Sequence, residues 1–248
     1  MKTGGKKCLS GSTLKWFAIA VMLIDHVGAC LVEGFLFNAY GNSPFSFSSG
    51  NIEFWYWLDL VLRCIGRSAF PVFCFLLAEG ACHTRSMPNY MKRLAVFALI
   101  SEIPFDLAIQ NTPFAWNMQN VFFTLLLGVI VIWVFQKYPA EKWKGWFSFL
   151  LLAAAAEVLH TDYGAVGVAT ILVMYLLREK PFRKLAVSYV VLALASLLEL
   201  FCLPGMILLG LYNGERGRQP RYFFYAFYPV HLLVLWAVGN FLLPVICG

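Results

Sequence analysis

Charged residues are scarce in this chain of 248 residues. Asp, Glu, Lys and Arg together make up 13% of it, whereas 60% of the residues are hydrophobic. A water-soluble domain of this size does not need so much apolar side chain, so the composition indicates an integral membrane protein. The sequence also lacks a long basic stretch outside its apolar runs, which excludes a nucleic-acid-binding role.

Regular cysteine spacing is absent as well. The seven cysteines include no CxxC pair, and most of them lie inside apolar runs. Cysteine in such surroundings behaves as a small hydrophobic residue. We therefore assign neither a metal site nor a disulfide framework.

Long apolar runs fill the chain, and the loops between them alternate between basic and uncharged. We predict an all-α, polytopic membrane protein with a cytoplasmic tail (residues 1–13) and a single transmembrane domain (residues 14–248). The predicted spans are residues 14–37, 55–79, 94–110, 118–136, 145–159, 163–177, 185–212 and 222–245. The first run follows several lysines and resembles a signal peptide, but polar residues interrupt it and we interpret it as an uncleaved span.

The run 185–212 is predicted to break at Pro204-Gly205 into an outward span and a short returning or re-entrant segment. Only this break places the basic loop 213–221 on the same side as the other basic loops. The chain then has about nine spans, with a cytoplasmic N-terminus.

Asp25 and His26 lie partway along the first span, at a depth where each ionisable group costs about 2.5–3.5 kcal/mol to insert. Counting along each span at about 1.5 Å per residue places Arg67, Glu102 and His231 at the level of His26. Buried charges in membranes pair with one another or line a cavity. The convergence therefore predicts a functional site.

Two partnerships are expected within this group. Arg63 and Arg67 are four residues apart and share a helix face, so either can pair with Asp25 and keep it ionised. Glu102 is then free to orient the ring of His26. Each histidine either has a function or only forms a hydrogen-bonded contact between helices. For His26 we favour a function, and for His231 both interpretations stay open.

Seven segments of the chain resemble the TraX family, named for a membrane protein that acetylates the pilin of F-type conjugative pili. They are LKWFAIAVMLIDHVGA (14–29), LRCIGRSAFPVFCFLLAEGACHT (62–84), ALISEIPFDLA (98–108), QNVFFTLLLG (119–128), DYGAVGV (162–168), LYNGERG (211–217) and FYAFYPVHLLVL (224–235). TraX-like proteins are similar to a wider group of membrane-embedded acyltransferases, in which an Arg and a His of the first span have ten residues between them. Lys15 and His26 keep this spacing, with Lys in place of Arg.

The resemblance implies transfer of an acetyl group from cytoplasmic acetyl-CoA to an acceptor amine or hydroxyl, on a pilin-like peptide N-terminus or on a surface or secreted glycan. His26 would be the central catalytic residue, as a base or as an acetyl carrier, and the sequence leaves both routes open. Asp25, Glu102 and Arg67 complete the implied catalytic group. The two arginines either steady negative charge on the thioester oxygen or are neutralised by carboxylates. We expect the ring of His26 to lie in a hydrated chamber that opens toward the cytosol.

Binding residues are assigned for both substrates. Those assigned to acetyl-CoA are Lys15, Arg63, Arg93, Asn213, Arg216 and His231, and further cytoplasmic candidates for its phosphates are Arg85, Lys92, Arg218 and Arg221. Those assigned to the acceptor are Asp106, Asn120, Asp162 and Tyr163. The implied location is the bacterial inner membrane, and the expected partners are acetyl-CoA, the acceptor and the lipid bilayer.

Two other functions fit the same residues. Helices interrupted by Pro71, Pro104 and Pro204, together with charges at mid-depth, are also typical of a proton-coupled transporter of a small solute. A non-catalytic assembly factor for a secretion or pilus machine is the second alternative.

Overall fold

The computed structural model describes residues 8–37, 52–218 and 222–247, and this part of the chain is helical without strands. Its α-helices are α1 (Gly11–His26), α2 (Ile52–Gly66), α3 (Ala69–His83), α4 (Met87–Gln110), α5 (Val121–Lys137), α6 (Lys142–Val158), α7 (Gly164–Leu176), α8 (Pro181–Ala193), α9 (Leu203–Gly210), α10 (Phe223–Ala237) and α11 (Leu243–Cys247). The all-α prediction is confirmed for the described residues.

Three helical stretches are long and apolar enough to cross a membrane: Gly11–Leu36, Ile52–His83 and Phe223–Ile246. Three shorter apolar helical stretches accompany them: Val121–Lys137, Gly164–Leu176 and Leu197–Gly210. In hydrocarbon only helices satisfy every backbone polar group within one segment, so these stretches fit a membrane protein. The count of nine spans and the cytoplasmic N-terminus stay predictions.

The first span begins earlier than predicted and changes its winding halfway. Ser10 caps α1, because its hydroxyl accepts a hydrogen bond from the backbone N–H of Thr13 at 3.2 Å. After His26 the helix widens into a π-helix, Val27–Leu36. A π-segment displaces the following side chains from their α-helical directions and is frequent at functional sites.

The predicted second span is two helices. A turn at Arg67-Ser68 separates α2 from α3. Pro71 falls in the first turn of α3, where its missing N–H removes no intrahelical hydrogen bond. The proline therefore does not break the helix. The bend comes before it and leaves Arg67 between two helix ends.

Helix α4 is longer than the predicted span 94–110. The loop predicted for residues 80–93 shrinks to residues 84–86. Helix α3 continues to His83, and Ser86 caps a helix that begins at Met87, with Pro88 in its first turn. The side chain of Ser86 accepts from the backbone N–H of Asn89 at 3.4 Å. Lys92 and Arg93 consequently lie on the first turns of α4, whereas Arg85 lies in the short turn before it.

The run 185–212 does break, but not at Pro204-Gly205. Helix α8 ends at Ala193, a turn follows, and a 3₁₀ segment, Leu197–Cys202, leads into α9. Pro204 lies in the first turn of α9, where a proline is tolerated. Gly205 packs so closely on the turn before α3 that a Cβ there would lie 2.5 Å from the carbonyl oxygen of Ser68.

The returning segment brings the basic loop to the start of α1. The backbone N–H of Asn213 donates to the carbonyl of Leu9 at 2.9 Å, and Ser12 donates to the carbonyl of Arg218 at 2.6 Å. We call this end of the bundle, with residues 8–12 and 211–218, the basic end. At the other end, the loop 111–120 meets the turn 159–163 through a backbone bridge between Gln119 and Thr161. We call that end the distal end.

Candidate functional site

Asp25 is held between two arginines. Its Oδ2 lies 2.7 Å from Nη1 of Arg63, and its Oδ1 lies 2.8 Å from Nη2 of Arg67. Hydrogen bonds between charged groups at these distances are among the strongest in proteins. The pairing of Asp25 with an arginine is therefore present as the sequence predicts, and it involves both candidates.

Two further acids extend this ion-pair cluster. Arg63 Nε lies 3.2 Å from Oε1 of Glu33, and Arg67 Nη1 lies 3.1 Å from Oε1 of Glu199. Neither acid was assigned to the site from the sequence. Glu33 is seven residues after His26, a spacing that returns to one helix face and could have indicated it. Glu199 lies just after the actual break at residues 194–196, which the sequence analysis placed at Pro204-Gly205, so depth counting could not find it.

A glycine makes this arrangement possible. Gly66 ends α2 directly against the side chain of Asp25, and a Cβ at position 66 would lie 2.5 Å from Cγ of Asp25 and nearer still to its Cβ. Only a residue without a Cβ allows α1 and α2 to approach so closely at the level of the ion pairs.

His26 and His231 form a ring pair between α1 and α10. Their centroids are 4.9 Å apart with an interplanar angle of 74°. Nδ1 of His26 lies 2.8 Å from the carbonyl of Met22, and Nδ1 of His231 lies 2.8 Å from the carbonyl of Phe227. A carbonyl only accepts, so each neutral ring carries its proton on Nδ1 and its lone pair on Nε2.

A half-enclosed cavity of about 160 Å³ lies beside His26. Asp25, Glu33, Arg63 and Arg67 line it together with apolar residues of α3 and α4. The distal end contributes Met118, Asp162 and Tyr163, and Val121, at the start of α5, lies beside them. Among the described residues, none of the basic end lines this cavity. The expected opening toward the cytosol stays a prediction, as does the cytoplasmic position of that end.

Tyr163 and Asp162 fill the distal wall of the cavity. The ring of Tyr163 stacks on Phe70 with centroids 3.6 Å apart, and its hydroxyl accepts from Arg67 at 3.2 Å. Asp162 lies in the turn between α6 and α7, where burial raises the pKa of its carboxyl to about 6 and the nearby Arg67 offsets part of that rise. Both residues assigned to the acceptor here do lie at the cavity.

Glu102 does not orient the ring of His26. Its Oε2 is bonded to the side chain of Asn120 and accepts from the backbone N–H of Asn120 at 3.4 Å. The ring of His26 is oriented instead by its own helix, through the carbonyl of Met22. The prediction is wrong because Glu102 accepts hydrogen bonds from Asn120 at the start of α5. The ring of His26 needs no distant carboxylate, since the carbonyl of Met22 lies one helical turn before it.

Two residues assigned to acceptor binding have structural roles. Asn120 is 0% exposed and caps α5, accepting from the N–H of Phe122 at 3.1 Å and donating to the carbonyl of Ala98 at 2.9 Å. Asp106 is 1% exposed and accepts from the N–H of Ala115 at 2.9 Å, which fixes the loop after α4. Neither side chain lines the cavity.

The residues assigned to acetyl-CoA fall into separate groups. Arg63 and His231 lie at the site level, as described above. Lys15 lies near the start of α1, away from the site, with its ammonium 5.3 Å from the ring centroid of Phe224. Asn213 shapes the basic loop, since its Oδ1 accepts from the N–H of Glu215 at 2.9 Å. Arg216 lies in the same loop, and Arg221 lies outside the described residues.

Arg93 lines a second, open cleft of about 320 Å³ on the first turns of α4. Asn89, Lys92, Val96 and Phe97 form the rest of its wall. The guanidinium of Arg93 lies 5.6 Å from the ring centroid of Tyr90. Two cations beside an apolar wall suit a ligand with phosphate groups and an uncharged arm.

Aromatic rings fill the way from this cleft to His26. Phe97 stacks on Tyr225 at 4.9 Å, Tyr225 lies 6.4 Å from Phe122, and Phe122 contacts Tyr228 at 5.2 Å. Tyr228 in turn contacts His26 at 5.8 Å. We call Phe97, Tyr225, Phe122 and Tyr228 the ring ladder. The sequence analysis treated the aromatic residues 222–228 as an interfacial belt, and the ladder places two of them inside the bundle.

No group of three or more His, Cys, Asp or Glu side chains in the described ranges is arranged to hold a metal ion. The polar site consists of a histidine pair and an ion-pair cluster around a cavity between helices. Fold and site together define a helical membrane protein with a polar chamber built into its bundle.

The comparison with known families is consistent with this class. The family described as TraX protein matches residues 10–239, and the chain belongs to this family. A relative from Dichelobacter nodosus named "Probable fimbrial assembly protein FimC, serogroup H1" is 30% identical over 262 aligned residues, which cover 94% of this chain and 97% of that protein. No solved structure matches the chain significantly.

Proposed function

We propose that this protein is a membrane-embedded acetyltransferase that moves an acetyl group from acetyl-CoA to an acceptor amine or hydroxyl, with His26 as the base. The observation that carries the proposal is the state of the His26 ring. Its Nδ1 is bonded to the carbonyl of Met22, so the lone pair of the neutral ring is on Nε2, and the residue lines the cavity. A base must present a lone pair to the group whose proton it removes.

Proton removal is the demanding part of this reaction. An α-amine has a pKa of about 8 and is mostly protonated at neutral pH, and a hydroxyl is a weak nucleophile until it is deprotonated. In the proposed reaction, a protonated amine first loses one proton to water. Nε2 of His26 then takes one proton from the neutral amine, or from the hydroxyl, as the acceptor attacks the carbonyl carbon of the acetyl group. The same proton then passes to the departing sulfur. The alternative, in which His26 carries the acetyl group itself, uses the same nitrogen.

The arginines have another role in this proposal. Arg63 and Arg67 are each bonded to two carboxylates, so their charge is already compensated. We infer that they fix the wall of the cavity beside His26 and do not carry the developing charge of the thioester oxygen. Asp25, in turn, serves as the centre of this wall.

Acetyl-CoA fits the basic end better than the cavity. It would supply an activated acetyl group on a long flexible arm, with phosphates at the other end. The cleft of Lys92 and Arg93 offers cations for the phosphates, and the ring ladder offers an apolar path for the arm toward His26. The rings must move apart for this path to open. The acceptor then enters the cavity from the distal end, past Asp162 and Tyr163.

The named relative supports a pilus-related acceptor. It is a probable fimbrial assembly protein. We infer a bacterial inner-membrane enzyme whose acceptor is a peptide or glycan that becomes part of a surface structure.

A thiol-release assay tests the proposal directly. The protein in lipid nanodiscs is given acetyl-CoA together with a short peptide that has a free α-amine or, in parallel, a methyl glucoside. Release of the CoA thiol with acetylation of one acceptor is expected. His26→Gln should abolish it, and His83→Gln, at the exposed end of α3, should not. A wild-type protein that releases no thiol with either acceptor and binds no acetyl-CoA would contradict the proposal.

A non-catalytic role in assembly is the second candidate, and the name of the relative favours it. Cells that lack the gene are complemented with the wild type or with His26→Gln. If the variant restores the lost surface structure as well as the wild type does, the protein acts as an assembly factor. If only the wild type restores it, the chemistry of His26 is required.

A further inference from the structure

His231 is a buried titratable group that the proposed reaction does not yet use. We propose that His231 is a positioning residue that shares with His26 the proton removed from the acceptor. This inference rests on the proposed function for its role in catalysis, whereas the pairing of the two rings can be tested without it.

Both rings are fixed in the same tautomer. Each Nδ1 lies 2.8 Å from the carbonyl four residues earlier on its own helix. Each neutral ring therefore has one proton, on the side of its own backbone, and a lone pair on the other nitrogen. The two rings are packed edge to face with centroids 4.9 Å apart.

The second nitrogen of His231 lacks a donor in the resting state. His231 is 5% exposed, and its Nε2 has no hydrogen-bond partner among the described residues. A buried acceptor without a donor is unfavourable, and native proteins keep few of them. The ring otherwise packs well, since it stacks on Phe227 with centroids 4.9 Å apart and an interplanar angle of 15°. Packing thus explains where the ring lies but leaves its Nε2 unexplained.

One added proton satisfies the pair. When Nε2 of His26 takes the proton of the acceptor, that ring becomes an imidazolium with a donor on both nitrogens. The lone pair on Nε2 of His231 can then accept from it or take the proton for a time. The proton leaves the pair when the departing sulfur receives it, which yields the free thiol and restores two neutral rings. The histidine pair therefore gains one positive charge when it takes up the proton and loses that charge when the thiol forms.

The charges around the pair are largely compensated. Asp25 is adjacent to His26 but is bonded to Arg63 and Arg67. The other titratable groups near the rings are Tyr228, which contacts both, the buried Cys30 one turn after His26, and Asp162 and Glu33 at the cavity. Glu102, on α4, is occupied by Asn120. Among the described residues, no carboxylate is ion-paired with either ring, so the second ring is the nearest support for the added proton.

Nitrogen-15 NMR tests the pairing without any substrate. The chain has only four histidines, so protein labelled on its imidazole nitrogens gives a spectrum that single variants assign. Near neutral pH, both His26 and His231 should show a protonated Nδ1 and an unprotonated Nε2. On acidification the two rings should change together at one pH, each to about half of full protonation, because coupled sites take up protons as a pair. Rings that titrate independently, or a protonated Nε2 on His231 at neutral pH, would overturn the proposal.

Kinetics tests the role in the reaction. His231→Phe keeps an aromatic ring against Phe227 but cannot accept a proton or a hydrogen bond. It should lower kcat for thiol release roughly 10- to 100-fold, with an unchanged KM for acetyl-CoA, because a hydrogen bond to a charged group is lost. The acid limb of the pH–rate profile should move to lower pH, since the imidazolium on His26 is less stable alone. His231→Gln, whose amide oxygen still accepts a hydrogen bond, should recover part of the rate.

The outcomes separate this inference from the proposed function. A rate loss with an acid limb that stays in place means that His231 only supports packing, and the inference fails. Equal rates for the wild type and His231→Phe have the same meaning. If the wild type releases no thiol at all, the proposed function fails, and the NMR titration alone decides whether the histidines share a proton.

Discussion

Gly66→Ala is the sharpest test of the ion-pair cluster. Gly66 is the last residue of α2, and its backbone is not in the left-handed region, so alanine is conformationally acceptable there. A Cβ at this position would nevertheless lie 2.5 Å from Cγ of Asp25. The side chain of Asp25 or the whole of α2 must therefore shift, and both of its ion pairs with arginine must lengthen.

The size of the effect follows from the contacts. Asp25 makes one charged hydrogen bond to each arginine, at 2.7 and 2.8 Å. Each such bond contributes about 1.5–3 kcal/mol when buried, and the partial exposure of these groups calls for the lower part of that range. Alanine at a helical position returns at most about 1 kcal/mol. We expect a net loss of about 2 kcal/mol, or roughly 4–8 °C in the midpoint of thermal unfolding.

Thermal unfolding in detergent measures this loss against a matched control. Gly210 also ends a helix, α9, and a Cβ there would meet only Cδ1 of Leu185 at 3.8 Å, an ordinary contact. Gly210→Ala should therefore unfold at the wild-type temperature or slightly above it. Thiol release by Gly66→Ala should fall as well, because the wall of the cavity beside His26 is displaced.

A suppressor variant makes the reasoning refutable. In an Asp25→Gly background there is no side chain for the new methyl group to meet. Adding Gly66→Ala to Asp25→Gly should then cause no further loss. If Gly66→Ala alone unfolds within 1 °C (about 0.3 kcal/mol) of the wild type, or if it costs the same with and without Asp25, the close approach of α1 and α2 is not what requires a glycine.

Three further predictions concern the distal end. Burial raises the pKa of Asp162 to about 6, so between about pH 4 and pH 6 the folded state holds a proton that the unfolded state has released. The stability that this group contributes therefore falls as pH rises from about 4 to 6, and Asp162→Asn should lose this dependence when unfolding midpoints are compared across that range. Asn120→Ala should cost about 1–2 kcal/mol by removing the cap of α5, whereas Asn89→Ala, on an exposed turn, should change the unfolding midpoint little. Tyr163→Phe should cost about 1 kcal/mol, because the ring stays stacked on Phe70 while its hydroxyl loses the bond to a guanidinium; a loss as large as that of Tyr163→Ala would contradict this account.

The centre of the site could be predicted, because the positions of its charged residues along the apolar spans are enough to pair them. An acid in an apolar helix needs a cation, and Arg63 and Arg67 are the cations that share a face at the right depth. The pairing in the structure has this form. The same depth count put His26 and His231 at one level, and their rings are in contact.

The partners contributed by irregular segments could not be predicted. Glu199 reaches Arg67 from a 3₁₀ segment, and the position of this segment depends on where α8 ends. The sequence offered Pro204 as the breaker, but a proline is equally at home in the first turn of a helix. Ser196, whose side chain accepts from the N–H of Leu198 at 3.2 Å, starts the new segment and is the residue that the prediction overlooked.

Glu102 shows a different limit. Depth alone placed it beside His26, yet its helix turns it toward Asn120. A carboxylate at mid-depth has to satisfy whichever polar group its helix faces, and the unpaired N–H groups at the start of α5 are such a demand. Rotation about the axis of α4 decides between the two, and counting depth along a span does not determine that rotation.

The ring ladder has a consequence for the electrochemistry of the cell. A bilayer stores a proton gradient, and a water-filled polar chamber that reached both faces would discharge it. Four aromatic rings lie in succession between the Arg93 cleft and His26, and their apolar faces offer ions no polar path along that side of the chamber. Under the proposed function, the same side chains would both insulate the membrane and admit the acetyl donor, and a variant that shrinks Phe122 should make the membrane leaky before it lowers the rate of thiol release.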